Sequence, residues 1–236
     1  MLNIHRIKIT LTCLLICLGM AVNAQQLNPL YDLRPIRFGF AIMGNTAKLK
    51  YTVKDNNLNY DSLKAIESVY YPGFGLGGLV NFRLADHWDL KTMLNIQFAR
   101  RDMNYHFTQK AVNEPNTKVV EMEATYMELP LTFEYKSKRH KNSRFYLLGG
   151  ITYRFDFTSD EQTDRSDTKP ILALYPNTFS YDVGFGFDFY YEFFKFSPEL
   201  KLSNGLGNQL VPDNFIYASS LERVSPKLLQ FSLIFQ

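Results

Sequence analysis

The chain has 236 residues and carries 26 lysines and arginines against 23 aspartates and glutamates, a formal charge of +3. So even a balance gives no reason to expect nucleic acid as a partner. Both cysteines, Cys13 and Cys17, fall within the first 24 residues, so the rest of the chain offers no disulfide, thiol nucleophile or cysteine-held metal.

That opening stretch reads as a secretory leader. Arg6 and Lys8 precede an apolar run from Ile9 to Met20, and Ala21-Val22-Asn23-Ala24 supplies small residues for a signal peptidase. The run is shorter than the roughly 18 residues of a spanning helix. Ile16 and Thr12, which precede the cysteines, do not suit lipid modification. We expect residues 1–24 to be a cleaved signal peptide and residues 25–236 to form a single domain of charge +1, Arg6 and Lys8 having been removed.

The domain then alternates at period two, a pattern that forms one coherent face only on a strand. Phe38, Phe40 and Ile42 begin the series, and Phe74, Leu76, Val80 and Phe82 follow. A third strand carries Trp88, Leu90, Thr92, Leu94, Ile96 and Phe98, and a fourth Met127, Leu129, Leu131, Phe133 and Tyr135. Phe145, Leu147, Ile151, Tyr153 and Phe155 make a fifth. The sixth is the most regular, with Phe179, Tyr181, Val183, Phe185, Phe187 and Phe189 against Ser180, Asp182, Gly184, Gly186 and Asp188. Phe194, Phe196, Leu200 and Leu202 form the seventh, and Leu229, Phe231, Leu233 and Phe235 the eighth.

Connections alternate between short and long. Ala85-Asp86-His87, Ser137 to Ser143 and Glu192-Phe193 are short; Asp55 to Tyr71, Thr108 to Glu121, Thr158 to Tyr175 and Leu206 to Val224 are long and polar. Loops sorted onto two rims belong to an outer-membrane barrel. The expected fold is therefore all-β: an eight-stranded antiparallel transmembrane up-and-down β-barrel with short periplasmic turns and long extracellular loops.

Charge placement separates this from a soluble barrel. The apolar faces contain no Asp, Glu, Lys or Arg, whereas the alternate faces carry Arg37, Arg83, Lys91, Arg101, Arg154, Lys195 and Lys201 against Asp89, Glu128, Glu134, Asp156, Asp182, Asp188 and Glu199. We expect these residues to form an interior charge network, with outer-membrane lipid against the apolar face. A lipocalin-type barrel needs the opposite polarity and would leave a large apolar wall in water. Trp88, Tyr135, Tyr190, Tyr191, Phe193 and Phe194 near the short turns, and Tyr71, Tyr105, Tyr126 and Tyr153 near the loops, are expected to form interfacial girdles. Pro130 and Pro198 fall within strands, where a bulge or a break in the ladder is expected.

Motifs for chemistry are weak. Gly73, Gly75 and Gly78 match G-x-G-x-x-G by count, but they begin a strand instead of linking a strand to a helix. Close packing in a narrow lumen accounts better for Gly75, Gly77, Gly184 and Gly186. His106 is the one histidine near the outer loops, and Asp102, four residues earlier, is too far to hydrogen-bond with it. No enzymatic activity and no cofactor are expected. The acidic run Asp160, Glu161, Asp164 and Asp167 lacks calcium-loop spacing and is interrupted by Arg165. In the last long loop, Leu210, Val211, Phe215, Ile216 and Tyr217 are either a partner-docking surface or packing over the barrel mouth.

The segment Tyr126-Met127-Glu128-Leu129-Pro130-Leu131-Thr132-Phe133-Glu134-Tyr135, with Phe145-Tyr146-Leu147-Leu148-Gly149-Gly150, resembles the Bacteroidetes outer-membrane β-barrel family. Tyr71-Pro72-Gly73-Phe74, Arg100-Arg101-Asp102, Tyr153-Arg154-Phe155-Asp156 and the stretch Lys195 to Ser203 are similar to its PorT subgroup. The chain departs from the family's terminal signal in ending on Gln236 rather than an aromatic residue. The resemblance implies a component of the type IX secretion system, which exports proteases and adhesins across the outer membrane. It also implies other secretion-system subunits or a larger translocon barrel as partners, and it supplies no catalytic residues. The alternative is a small ligand-binding barrel or narrow solute channel outside secretion.

Overall fold

The computed structural model describes residues 27–54, 63–107, 117–159, 172–212 and 216–236. The expected leader and the acidic run at 160–167 lie outside them. Eight strands follow in chain order: β1 (Ile36–Val53), β2 (Leu63–Arg83), β3 (Trp88–Phe107), β4 (Thr117–Lys136), β5 (Ser143–Asp156), β6 (Asn177–Tyr190), β7 (Lys195–Leu206) and β8 (Leu221–Phe235). Each pairs antiparallel with its neighbour, and β8 pairs with β1 from Phe40↔Phe235 to Val53↔Leu221, closing the barrel. A 3-10 turn at Tyr31–Leu33 precedes β1, and a short helix α1 (Ile216–Ser219) precedes β8.

The apolar row of every strand faces outward. Phe38, Phe74, Leu94, Leu129, Ile151, Phe179 and Phe231 are all exposed, while Asn45, Asn95, Gln97, Thr152 and Gln230 are buried inside. The register of alternation fixes this choice, because a slip of one residue would exchange the two faces along a whole strand.

The strands run further outward than the sequence reading placed them. Leu63–Tyr71 belongs to β2, Thr117–Glu121 to β4 and Leu221–Val224 to β8, so parts of the expected long loops are strand. β2, β3 and β4 have 21, 20 and 20 residues, against 14, 14 and 12 in β5, β6 and β7. Since about 9–11 residues suffice to cross hydrocarbon, one side of the barrel continues as a raised wall beyond the apolar band.

Polarity reverses in that wall. Leu49, Met103, Tyr105, Val120, Met122 and Val224 point inward and are buried, whereas Lys50, Thr52, Glu121, Glu123 and Arg223 face out. The raised part is thus built like a water-soluble sheet, apolar inside and charged outside. Register shifts in β2 between Leu63 and Ala65 and between Tyr70 and Phe74, and in β1 at Thr52/Val53, mark this region.

Both prolines leave a gap in a ladder without a bulge. Pro130 keeps its partner Thr152 on β5, while on the β3 side the pairing jumps from Thr92↔Leu131 to Asn95↔Glu128 in unchanged register. Thr92 compensates by donating its hydroxyl to the Pro130 carbonyl at 3.1 Å. At Pro198 the β6–β7 ladder passes from Gly186↔Glu199 to Phe189↔Phe196.

Trp88 stacks at a tilt on Tyr135 with 5.0 Å between centroids, and Tyr191 lies parallel to Phe194 at 4.9 Å, as lower-girdle residues would. Three tyrosines depart from the expected girdles. Tyr105, Tyr126 and Tyr190 are buried inside the barrel, because each falls on the inward parity of its strand.

Candidate functional site

The lumen is the most densely organised feature of the molecule. Near the short turns, Lys136 lies 2.6 Å from Asp89, 3.1 Å from Glu134 and 3.5 Å from Asp188, and Lys195 reaches Asp188 at 3.3 Å. Arg37 pairs with Asp89. Lys91 bridges the barrel, pairing with Glu134 at 2.7 Å and with Glu199 across the lumen. Tyr146 donates its hydroxyl to Glu199 at 2.8 Å. Its ring can cross to that strand because Gly186 lies beneath it, where a Cβ would come within 2.4 Å of the phenol.

Higher up, Arg154 pairs with Glu128 and donates to Ser180 and Ser203, each at 2.6 Å. Lys201 stands 3.5 Å from Asp182, and Arg101 3.2 Å from Asp156 while covering the Tyr126 ring at 5.1 Å. These ions are nearly excluded from solvent, so each depends on its partner; an unpaired charge here would cost several kcal/mol, on the order of 3–5.

Of the fourteen residues that the sequence assigned to an interior network, thirteen are buried: Arg37, Asp89, Lys91, Arg101, Glu128, Glu134, Arg154, Asp156, Asp182, Asp188, Lys195, Glu199 and Lys201. Arg83 is the correction. It ends its strand at the lower rim, where its side chain remains 26% exposed and pairs with the solvated Asp86 at 2.6 Å. Sequence reasoning missed Lys136 and Arg144, although each lies on the inward parity of its strand and is buried. It also missed Asp102, which Arg100 covers with a 2.7 Å ion pair.

Both ends are stoppered. At the short-turn end, the segment before β1 folds under the barrel: Tyr31 packs edge-on against Tyr190 with centroids 5.9 Å apart, and Asp32 accepts the Tyr190 hydroxyl at 2.7 Å. Asp32 also stands 3.6 Å from both Arg139 and Arg144, contributing a carboxylate that the strands themselves do not provide. Burial pushes the Tyr31 phenol up to about 12, against the opposing influence of Arg37.

At the outer end, Leu172, Leu174, Leu210, Ala218 and Leu221 pack onto Leu49, Met103, Tyr105, Val120 and Val224. Leu174 forms a bridge with Leu210, and the Val211 amide donates to the Ala173 carbonyl at 3.1 Å. This settles one residue of the expected docking loop. Leu210 is only 5% exposed and belongs to the packing over the mouth, and Val211 is half-buried beside it. Phe215 lies outside the described residues, as do the side chains of Ile216 and Tyr217, whose backbone opens α1.

His106 sits on the outer face of the raised wall. Its Nδ1 is 2.9 Å from the Thr117 hydroxyl and its Nε2 is 3.8 Å from Glu67. These are cross-strand neighbours on a half-exposed surface, with the Glu67 contact beyond hydrogen-bond distance.

The described residues form a closed eight-stranded barrel with an apolar outer wall and an interior lined by buried ion pairs. The sequence profile of the outer membrane protein beta-barrel domain family matches residues 23–211, and the chain belongs to that family. Membership places it in an outer membrane, with lipid against the apolar wall. A search of curated proteins returns no match. Among solved structures, the outer membrane protein OprG from Pseudomonas aeruginosa is 13% identical, with a TM-score of 0.44 over 85% of this chain and 91% of that one. Neisserial surface protein A is 9% identical at a TM-score of 0.44 over 85% and 98%. AlkL, solved in lipid bilayers, is 14% identical at 0.41 over 85% and 91%.

Proposed function

We propose that the protein is an accessory or assembly subunit of the type IX secretion system, acting by contact with other subunits or with a larger translocon barrel, and neither transporting through its own lumen nor catalysing a reaction. The observation that carries the contact mechanism is the filled lumen. Eight strands enclose space only for side chains, and here that space holds buried ion pairs, among them Lys91 with Glu199, which crosses from β3 to β7. Folded cargo has no route through it. Contact would run through the long outer loops or by lateral packing of the membrane-facing wall; among the described residues the raised part of β1 to β4 also stands clear of the apolar band. The assignment to secretion rests on the sequence similarity around Tyr71–Phe74, Arg100–Asp102, Tyr153–Asp156 and Lys195–Ser203.

Deleting the gene is expected to abolish export of type IX cargo while leaving general outer-membrane permeability unchanged. Normal export in a clean deletion would refute the secretion assignment. The purified protein in planar bilayers is expected to stay electrically silent; discrete single-channel steps would refute the contact mechanism and favour a narrow channel.

A further inference from the structure

The outer wall carries a cluster of cations that the secretion reading does not use. β7 stops at Leu206, while β8 and β1 continue upward together as far as Leu221↔Val53. The step between them forms a cleft of about 270 Å³ whose lining includes Lys50, Arg223, Lys227, Asn204, Ser225 and Tyr181. Register brings these together, since Lys50 pairs with Ser225, Thr52 with Arg223, and Asn204 with Lys227.

Two properties bear on what these clustered cations could bind. First, among the described residues no carboxylate lies within 4.0 Å of any of them, and β1 contains no acidic residue along its whole length. By contrast, Arg100 on the opposite side of the wall is held by Asp102 at 2.7 Å and Glu121 at 2.8 Å. Second, their height is specific. The outward row of β1 from Ile36 to Thr46 contains no charge and spans about 26 Å along the barrel axis, at ~3.4 Å per residue and ~40° of tilt. That is the height of a hydrocarbon band, and Lys48 and Lys50 are the next two outward residues. Directly below, Tyr181, Val183, Leu229 and Phe231 present an apolar wall.

We propose that this cleft binds a phosphate group of a phosphorylated, acylated saccharide in the outer leaflet, with Lys50, Arg223 and Lys227 holding the phosphate and the wall below receiving its acyl chains. Cations stacked immediately above a greasy surface fit an amphiphile better than a soluble anion, because the two halves of the ligand are satisfied at adjacent heights. Arginine contributes a planar donor fork suited to phosphate oxygens. The inference depends on the family-level placement in an outer membrane and is independent of the secretion assignment, so normal export in a deletion strain leaves it standing.

The test is a titration of the purified full-length barrel in detergent with monophosphoryl lipid A, followed by native mass spectrometry. Saturable binding is expected. It should weaken about 25-fold in R223Q/K227Q, from about fivefold per cation at a membrane surface, and remain unchanged in K64Q, which removes an exposed cation from β2. Enzymatically dephosphorylated lipid A should bind no better than to the double variant. Equal affinity of wild type and R223Q/K227Q, or of the two lipids, would overturn the proposal. Displacement of the lipid by equimolar inorganic pyrophosphate would assign the cleft to a soluble anion and overturn the lipid assignment. Unheated gel mobility reports folding, and K50Q/R223Q serves the same comparison should the first variant fail to fold.

Discussion

Replacing Lys91 with Met tests whether matched charge holds this barrel together. Lys91 and its partners Glu134 and Glu199 each have side chains only 3% exposed. After the substitution Glu134 keeps Lys136 at 3.1 Å and the Asn81 amide at 3.2 Å, but Glu199 retains only the Tyr146 hydroxyl. One carboxylate is therefore stranded. Breaking a buried pair in this way costs about 3–5 kcal/mol, a drop of roughly 100- to 4,000-fold in the folded-to-unfolded ratio. Adding Glu199→Gln removes the stranded charge and should recover most of the loss, to within about 1 kcal/mol of the wild type. Urea titration in phospholipid vesicles, read by the fluorescence of Trp88, the chain's single tryptophan, measures both. An unchanged midpoint in Lys91→Met, or further loss on adding Glu199→Gln, would show that the lumen tolerates unpaired charge and would remove the basis for treating it as an ion-paired core.

The same titration checks three further expectations. Val183→Lys puts a cation on the lipid face of β6 and should cost about 2–4 kcal/mol; a neutral result would place that face in water. Gly150→Ala sets a Cβ 2.2 Å from the Leu131 carbonyl oxygen and 2.7 Å from the Thr132 Cα, so about 1–3 kcal/mol is lost, whereas Gly78→Ala meets nothing within 4 Å and should be silent. Tyr31 has its phenol pushed up to about 12 by burial, so the folded state holds that proton more tightly than the unfolded chain. Its contribution is complete below pH ~10 and is lost as pH rises toward ~12. Tyr31→Phe should abolish that part of the alkaline loss, and identical alkaline profiles for the two proteins would contradict the buried placement.

Much of the barrel is legible because lipid imposes a simple rule on a strand. Wherever hydrocarbon lies outside, every second residue must be apolar, and the rows from Phe38 to Ile42 or Phe179 to Phe189 obey this. The raised wall escaped detection because the rule inverts there. In β4 the apolar parity runs through Val120, Met122 and Ala124, then flips to Met127, Leu129 and Leu131. That change of phase is the sequence mark of leaving the hydrocarbon, and it recurs in β3 between Phe98 and Met103. Lys136 and Arg144 are readable by the same parity, but they sit at strand ends beside the short turn Ser137 to Ser143, outside the alternating rows that identify the strands. The lower stopper was not legible, and at the upper end packing over the mouth was only one of two readings of Leu210, since nothing local to Tyr31 or Leu210 specifies what each will lie against. Tyr190 and Leu174 are brought to them only by closure of the cylinder.

The pairing of Lys91 with Glu199 also limits how the molecule can enter its membrane. A sheet of the first four strands laid open in hydrocarbon would turn its ionic side toward acyl chains, with the partners of its long-range pairs, such as Glu199 for Lys91, still missing. Partly rolled forms are therefore confined to places where water or another protein shields that side, and the chain must reach the bilayer interior with its cylinder nearly complete.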